Sequence, residues 1–238
     1  MSYNIILMGV CEARVINSED IGKTMGSAGL EQGMSKRIAG YDDLRKEVVR
    51  AIRDVSNDPK EWLDIGCGTG GSVKDSMQVF GDAGFTLADP SQENLDTARA
   101  VLGDERCRYV LGASDALELP EGKFDVITAI LSHHYYSDRD MKVKVYRNCR
   151  RMLRDGGVFV NVEHTIYSDQ DAKDREWAEY MRGRGLSEDS IQEMFDRRNR
   201  VYFPFSEDDH MEMMHSAGFR EVKVFWRSCS DVGYYGIR

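Results

Sequence analysis

The chain has 238 residues, 41% hydrophobic and 31% charged, which suits one sizeable globular α/β domain with a small addition. No apolar run approaches the length of a bilayer span, and the net charge of −9 argues against a broad nucleic-acid footprint. The five cysteines are scattered and form no CxxC pair, which favours reduced thiols and a cytoplasmic location.

The first 40 residues show no clear period and are rich in glycine and polar residues. Residues 3–10 are apolar but lack a basic leader, so no secretory signal is expected. Two interpretations of residues 1–40 stay open: a lid that orders over a site, or a loose extension. A helix is predicted over residues 41–55, where apolar residues recur at helical spacing. We therefore expect the main domain to cover residues 41–238.

Residues 61–71 read EWLDIGCGTGG and predict a short strand that leads through a glycine-rich turn into a helix. Gly66, Gly68 and Gly71 allow a sharp turn and let a ligand lie against the backbone without meeting a Cβ. Asp64 lies near the carboxyl end of the strand, where open parallel sheets bind ligands. By itself this pattern also fits a helix entry that happens to be rich in glycine.

Strands and helices alternate over the next hundred residues, which predicts a doubly wound α/β domain. The run at 124–131 is almost continuously apolar, which indicates a strand buried on both faces in a parallel sheet. A helical insertion is predicted at 168–200, where the alternation stops. The expected fold is a Rossmann-like, mostly parallel seven-stranded sheet with an antiparallel edge strand. The predicted strands cover residues 61–65, 85–89, 108–111, 124–131, 158–162, 222–226 and 232–237.

Three carboxylates, Asp64, Asp89 and Asp115, follow the first three predicted strands. In this fold those strand ends converge on one crevice. An acid after the second strand can accept both hydroxyls of a ribose, and one beyond the third can accept from an exocyclic amine. Together they indicate an adenosine-containing ligand, although each Asp can equally be a helix cap or a solvated loop residue.

The ordered motifs resemble the class I S-adenosylmethionine-dependent methyltransferases, closely over residues 40–165 and loosely over the final strands. The resemblance implies the cofactor S-adenosyl-L-methionine and an enzyme that transfers methyl groups. It places Asp64 and the glycines around the methionine part, Asp89 at the ribose, and Asp115 and Ala116 at the adenine. The matching residues are the turn at 63–70, DPS at 89–91, DALELP at 115–120, FDVI at 124–127, His133, His134 and RMLRDGG at 151–157. The implied cofactor site comprises Tyr41, Asp64, Gly66, Gly68, Asp89, Pro90, Asp115 and Ala116.

The ends of the chain resemble a narrower group, carboxy-S-adenosylmethionine synthase and its relatives, which serve tRNA wobble-uridine modification. Residues 37–41, RIAGY, resemble that group's entry segment, whose Tyr contacts the cofactor; this implies Tyr41 in the site. The group needs an Arg for the extra carboxylate, whereas an ungapped match puts Phe195 there, with Arg197 and Arg198 nearby. Ordinary methyl transfer is therefore preferred, and synthesis of the carboxyl-bearing cofactor is the alternative.

The candidate catalytic residues follow the fourth and fifth predicted strands. They are His133, His134 and Tyr135 after the fourth strand, and Glu163 and His164 after the fifth. One of them can deprotonate or orient an acceptor that must lose a proton, although histidine and tyrosine can equally serve as packing residues. We expect no metal, because no compact ligand motif supports a site built from His133, Glu163 and His164.

The leading hypothesis is methyl transfer to a small-molecule acceptor by in-line displacement at the sulfonium methyl. A nicotinamide-dependent oxidoreductase and a non-catalytic cofactor-binding protein are two competing hypotheses. We expect no nucleic-acid or membrane partner and a monomer or homodimer. The arginines at 182–184 and 197–200 are interleaved with acids and are interpreted as solvated helical faces. His210 and His215 are expected at the surface.

Overall fold

The computed structural model describes residues 30–238, with side chains from residue 33 onward. Helix α1 (Leu30–Arg37) begins the described part, so most of the expected lid or extension lies outside the described residues. Helix α2 (Tyr41–Val55) confirms the helix predicted over 41–55 and buries the apolar face that the sequence indicated. Gly40, with φ +74°, allows the sharp connection between the two helices.

A mixed sheet forms the centre of the molecule and confirms the expected Rossmann-like fold. Its strands in chain order are β1 (Glu61–Ile65), β2 (Gly84–Asp89), β3 (Cys107–Leu111), β4 (Phe124–Ile130), β5 (Leu153–Ile166), β6 (Phe205–Ser206), β7 (Arg220–Arg227) and β8 (Asp231–Ile237). The strand order is β3-β2-β1-β4-β5-β8-β7, and β6 pairs with the end of β5. Strands β1 to β5 are parallel, whereas β8 runs antiparallel to both of its neighbours.

The last two strands form an antiparallel pair at one edge of the sheet, as expected, and the antiparallel strand β8 takes the inner position of the pair. Strand β8 lies between β5 and β7, and β7 forms the edge. Burial explains this order: β8 is buried along most of its length, whereas β7 has one buried residue and otherwise half-buried or exposed ones. The more apolar strand of the final hairpin therefore takes the interior position.

The remaining helices begin mostly at side-chain caps. They are α3 (Gly71–Val79), α4 (Gln92–Leu102), α5 (Arg139–Met152), α6 (Gln170–Gly183), α7 (Glu188–Asp196) and α8 (Glu207–Ser216). In each helix from α4 to α8, a Ser or Asp side chain accepts a hydrogen bond from the backbone amide three residues later. Such a cap stabilises a helix by about 1 kcal/mol. Among residues 30–238, no helix combines the length and the apolar character that crossing a bilayer requires.

The two faces of the sheet carry separate hydrophobic clusters, and β5 contributes to both. Val158, Val160 and Val162 pack on the side of α2, whereas Phe159 packs on the side of α5 and α8. This alternation follows from the two-residue period of a strand. The same alternation determines which face of the sheet each residue at the end of β5 points to.

Helices α6 and α7 lie within the segment expected as an insertion and form a third, smaller cluster around Trp177. They hold the end of α1 in place. Trp177 Nε1 donates to the carbonyl oxygen of Arg37 (2.6 Å), and the Tyr180 hydroxyl donates to that of Ser35 (2.6 Å). The insertion and α1 are thereby joined over one end of the sheet.

Candidate active site

A cavity lies at the carboxyl ends of β1, β2, β3 and β4. This is the edge at which parallel α/β sheets bind ligands. Six of the eight predicted cofactor residues line it: Tyr41, Asp64, Gly66, Gly68, Asp89 and Pro90. The loops after β3 and β4 close its sides with residues 112–114 and 130–132 and with two tyrosines at 135 and 136.

The glycine turn packs tightly against the loop after β4. Gly66 has a φ of +67°, and a Cβ at this position would lie 2.3 Å from Cβ of Ser132. Its amide donates to the carbonyl oxygen of Ala88 (2.7 Å), which ties the turn to β2. Glycine is required here by both the backbone conformation and the lack of space.

Asp89 is held in place by the turn it faces. Its Oδ2 accepts from the amide of Gly68 (2.9 Å), and its Oδ1 accepts from the amide of Ser91 (2.9 Å) and from Asn94 Nδ2 (3.1 Å). Burial raises the pKa of this carboxyl, and the three hydrogen bonds oppose the rise. The carboxylate is thus fixed before any ligand arrives, with a face on the cavity.

Asp64 lines the cavity and accepts the last hydrogen bond of a short chain. Trp62 Nε1 donates to Thr128 Oγ1 (2.9 Å), which donates to Asp64 Oδ1 (2.6 Å). Burial raises the pKa of Asp64 to about 7, the Thr128 hydrogen bond opposes this, and the negative charge of Asp89 adds to it. The two aspartates are the charged residues that line the cavity within the described part, so the site favours a cation.

Asp115 and Ala116 do not line this cavity. The Asp115 Oδ1 instead accepts from the hydroxyl of Tyr136 (3.0 Å), and Tyr136 lines the cavity in its place. Gly112, Ala113 and Ser114 are the residues of the loop after β3 that reach the surface of the cavity. The role of Asp115 at an adenine remains a prediction.

Known proteins are similar to this chain in sequence and in fold. The methyltransferase domain family matches residues 63–157, from β1 through the glycine turn to the start of β5. This match and the similarity to curated relatives support a class I S-adenosylmethionine-dependent methyltransferase. The protein is a methyltransferase enzyme with S-adenosyl-L-methionine as its cofactor, as the resemblance implied. The acidic cavity and its glycine turn suit this cationic cofactor, so we call this space the cofactor cavity.

Similar proteins differ in the share of this chain and of their own length that the alignment covers. A carboxy-S-adenosyl-L-methionine synthase from Methylococcus capsulatus is 24% identical over 218 residues, which are 86% of this chain and 88% of that protein. The sterol 4-C-methyltransferase strm-1 of Caenorhabditis elegans is 32% identical over 117 residues, 48% of this chain and 34% of its own. A phosphoethanolamine N-methyltransferase 2 structure from Haemonchus contortus, with phosphomonomethylethanolamine and S-adenosylhomocysteine, superposes with a TM-score of 0.68. It shares 15% identity and covers 94% of this chain and 61% of that one.

A second cavity borders the cofactor cavity. The two share Met34, Leu131 and Tyr135 as lining residues. The second cavity is also lined by Arg37, Ile38, His134, His164, Met194, Arg197 and Tyr202. These residues come from α1, the loop after β4, the end of β5 and the insertion with the segment that follows it.

Three of the five predicted catalytic residues line this second cavity: His134, Tyr135 and His164. The rings of His134 and His164 lie 4.5 Å apart, centroid to centroid, and Tyr202 packs 4.7 Å from His164. Burial lowers the pKa of His134 well below its usual value, and nearby positive charges lower it further. His134 is therefore neutral near pH 7.

The other two, His133 and Glu163, line neither cavity. His133 is fully buried with its Nε2 2.8 Å from Ser114 Oγ, and burial followed by the charge of Lys142 lowers its pKa to about 3. Glu163 accepts from Lys142 Nζ (3.2 Å) on the α5 face of the sheet. It points away from His164 because adjacent strand residues face opposite sides.

The alternative metal site does not assemble. Since Glu163 and His164 lie on opposite faces of β5, the three proposed ligands are not brought together. Within the described residues, no group of three His, Cys, Asp or Glu side chains is placed to hold a metal ion.

Two surface expectations are wrong. His210 is fully buried, with its Nδ1 3.3 Å from the hydroxyl of Tyr146, because α8 packs this side onto the sheet. Arg197 is half-buried and lines the second cavity, and within residues 33–238 its guanidinium has no ion-pair partner. The neighbouring Arg198 differs, since it forms two hydrogen bonds to the carboxylate of Asp174 (2.6 and 2.8 Å).

Sequence reasoning missed Asp231, which is fully buried at the start of β8. Its Oδ1 lies 2.6 Å from Nδ1 of His164, at ion-pair distance, although the two atoms are not aligned as an ideal hydrogen bond. The only signal in the sequence was an acid that opens an otherwise apolar strand. The sequence alone does not identify the partner of this acid, because the partner depends on which strand lies beside β8.

Proposed function

We propose that this enzyme transfers a methyl group to a small, anionic acceptor bound in the second cavity. The observation that carries this proposal is Arg197, which faces the cavity without an ion-pair partner in the described part of the chain. Arg37 lines the same cavity, and no carboxylate is among the described residues that line it. The charge of this space is thus opposite to that of the cofactor cavity.

An anion would relieve an electrostatic cost at this site. A half-buried guanidinium loses part of its hydration, and a carboxylate or phosphate restores hydrogen bonds in the paired geometry that arginine favours. The Haemonchus contortus structure supports the same class by analogy, since phosphomonomethylethanolamine carries a phosphate. The acceptor we propose is therefore a small carboxylate or phosphate ester.

The residues around the second cavity suit a reaction that depends on positioning. S-adenosylmethionine supplies an activated methyl group when it is bound. Met34, Leu131 and Tyr135 stand where the two cavities meet, so they can exclude water and direct the acceptor towards the cofactor. Of the predicted catalytic residues, Tyr135, His134 and His164 are those that we propose contact the acceptor.

The test is an acceptor screen with charge-matched controls. Hydroxylated aromatic carboxylates, amino alcohols phosphorylated on oxygen, and the neutral esters or alcohols of the same compounds are incubated with S-adenosylmethionine, and S-adenosylhomocysteine release is measured. We expect turnover with anionic members only. Arg197→Ala should raise KM for the acceptor by about 10-fold or more, as for loss of a charge-assisted hydrogen bond.

The matched control is Arg200→Ala, which removes an exposed arginine from the same segment. It should leave KM unchanged. Equal turnover of a neutral analogue, or equal KM values for the Arg197 and Arg200 variants, would show that the acceptor is not an anion held by Arg197.

The second candidate is synthesis of a carboxyl-bearing cofactor. Arg197 favours this second candidate. The ungapped match placed Phe195 where the carboxylate-binding arginine is needed, whereas in the structure Arg197 lines the cavity beside the cofactor cavity. Phe195 packs against Trp177 (5.5 Å between ring centroids). Mass spectrometry of small molecules released on denaturing the purified protein separates the two candidates. A cofactor carrying an extra carboxyl group supports this one, and unmodified S-adenosylmethionine or S-adenosylhomocysteine supports methyl transfer.

A further inference from the structure

The side chain that orients His164 comes from the neighbouring strand. His164 of β5 and Asp231 of β8 are direct partners in the antiparallel register, and their side chains meet with Nδ1 2.6 Å from Oδ1. Asp231 is fully buried, and His164 is among the residues that line the second cavity. We propose that Asp231 is a positioning residue that holds His164 as the base for the methyl acceptor. This inference rests on the proposed methyl transfer.

The carboxylate of Asp231 is itself fixed by a short loop of serines. Its Oδ2 accepts from the hydroxyl of Ser230, and the hydroxyl of Ser228 lies 3.4 Å from the same oxygen. The amide of Asp231 donates to Ser228 Oγ (3.1 Å). One carboxylate oxygen is therefore engaged by the loop, and the other lies at ion-pair distance from the imidazole.

The imidazole of His164 is fixed in the same way. Asp231 favours the tautomer with the proton on Nδ1, which leaves the lone pair of Nε2 free. The rings of His134 and Tyr202 pack on His164 at 4.5 and 4.7 Å and restrict its rotation. No group in residues 33–238 forms a hydrogen bond to Nε2, so this atom is available to a ligand in the cavity.

Charged and titratable groups face His164 from every element packed around it. Arg197 and Arg37 line the same cavity, and so do the neutral His134 and two tyrosines. His210 of α8 lies behind the strand. These groups are Arg37, His134, Tyr135, Arg197, Tyr202, His210 and Asp231, and the charge of Lys142 also acts on His134 and His210. Among them, Asp231 is the carboxylate that lies at ion-pair distance from the His164 ring.

In the proposed reaction the acceptor gains one methyl group and loses one proton. A lone pair on the attacking oxygen or nitrogen of the acceptor forms a bond to the methyl carbon, while the carbon–sulfur bond breaks and leaves its electron pair on sulfur. The proton of the attacking atom passes to Nε2 of His164 and then to solvent. The carboxylate of Asp231 stabilises the imidazolium while it exists. The attacking atom of the acceptor must therefore carry a proton, as a hydroxyl or an N–H group does.

The first experiment needs no acceptor. Long-range ¹H–¹⁵N NMR of the full chain with ¹⁵N-labelled histidine and bound S-adenosylhomocysteine reports which ring nitrogen carries the proton. The His164→Gln spectrum assigns the signals. We expect the Nδ1–H tautomer in the wild type and its loss in Asp231→Asn. An Nε2–H tautomer in the wild type overturns the proposal without any variant at Asp231.

The matched control is Asp125→Asn, which removes another buried aspartate at the opposite end of the sheet. Asp125 accepts from the amides of Lys60 and Glu61 (2.5 and 2.9 Å). This variant should leave the His164 tautomer unchanged. If Asp231→Asn does not fold, Ser230→Ala weakens the same arrangement more gently and should shift the Nδ1 signal.

The second experiment uses an anionic acceptor with a hydroxyl group that the screen has identified. Asp231→Asn should lower kcat by about 100-fold with KM within about twofold, as for loss of a general base. Added imidazole should restore part of the activity of His164→Ala but not that of Asp231→Asn. Unchanged kcat in Asp231→Asn sinks this inference while methyl transfer stands. If no member of the screen is methylated, it is the proposed function that fails, and the NMR result still decides the tautomer.

Discussion

The cofactor cavity and the second cavity lie side by side but carry opposite charge. Two aspartates line the first, and two arginines line the second. The first is built mainly from one continuous region, β1 to β4 and the loops that follow them. The second is assembled from α1, the end of β5 and the insertion, which are far apart in the sequence. This separation of charge suits a cationic methyl donor next to an anionic acceptor.

The two cavities also differ in the contacts that hold their lining residues in place. Backbone amides of the glycine turn and of Ser91 hold Asp89, and β1 and β4 hold Asp64, so the cofactor cavity depends on the central sheet. The second cavity depends on α1 and the insertion, which meet through two hydrogen bonds and a small cluster. Elements with few buried contacts open more readily, so we expect the acceptor side to be the more mobile one.

The largest expected effect concerns the glycine turn. Gly66→Val should abolish cofactor binding, because a Cβ would lie 2.3 Å from Ser132 and the φ of +67° is unfavourable for a branched residue. Calorimetry with S-adenosylhomocysteine measures the loss, and circular dichroism checks the fold. Gly103→Val is the control, since Gly103 has a similar φ of +72° but open space around it. Normal binding by Gly66→Val would place the cofactor away from the turn.

A change of about tenfold in cofactor affinity is expected from the ionisation of Asp64. Its pKa of about 7 means that the free protein holds a proton on this carboxyl below pH 7 and releases it above. A cationic cofactor binds the ionised form, so affinity should rise about tenfold from pH 6 to pH 8 and then level off. Titration calorimetry over this range measures it. Asp64→Asn should bind more weakly and show a flatter profile; the same slope in both proteins would assign the effect to the cofactor's own amino group.

The smallest expected effect is confined to the second cavity. Tyr180→Phe removes the hydroxyl that donates to the Ser35 carbonyl and should loosen α1, which supplies Met34 and Arg37. Since a neutral hydrogen bond contributes about 1 kcal/mol, KM for the acceptor should rise a few-fold. Cofactor affinity should change less. Tyr109→Phe is the control, because its hydroxyl donates to the Gly103 carbonyl at a remote loop. Equal KM values would show that α1 docking does not shape the second cavity.

Much of the fold could be predicted because its signals are local. The apolar run of β4, the glycines after β1 and the caps of α4 and α8 lie within a few residues of the structure they determine. Asp64 and Asp89 reach the cofactor cavity because parallel strands bring their carboxyl ends to one edge. Asp115 follows the same rule only in part, since it accepts a hydrogen bond from a tyrosine of the next loop and does not line the cavity.

The sequence by itself thus determined the class of fold and the acidic side of the site, because strand period and turn geometry are short-range properties, and its resemblance to a known family implied the cofactor. Only the tertiary structure decided that His164 rather than Glu163 lines the second cavity, since this depends on which face of β5 each helix covers. It also decided that β8 lies beside β5, which brings Asp231 to His164, and that the insertion folds back to place Arg197 in the second cavity. These contacts join distant segments, and their energy comes from packing that no local pattern records.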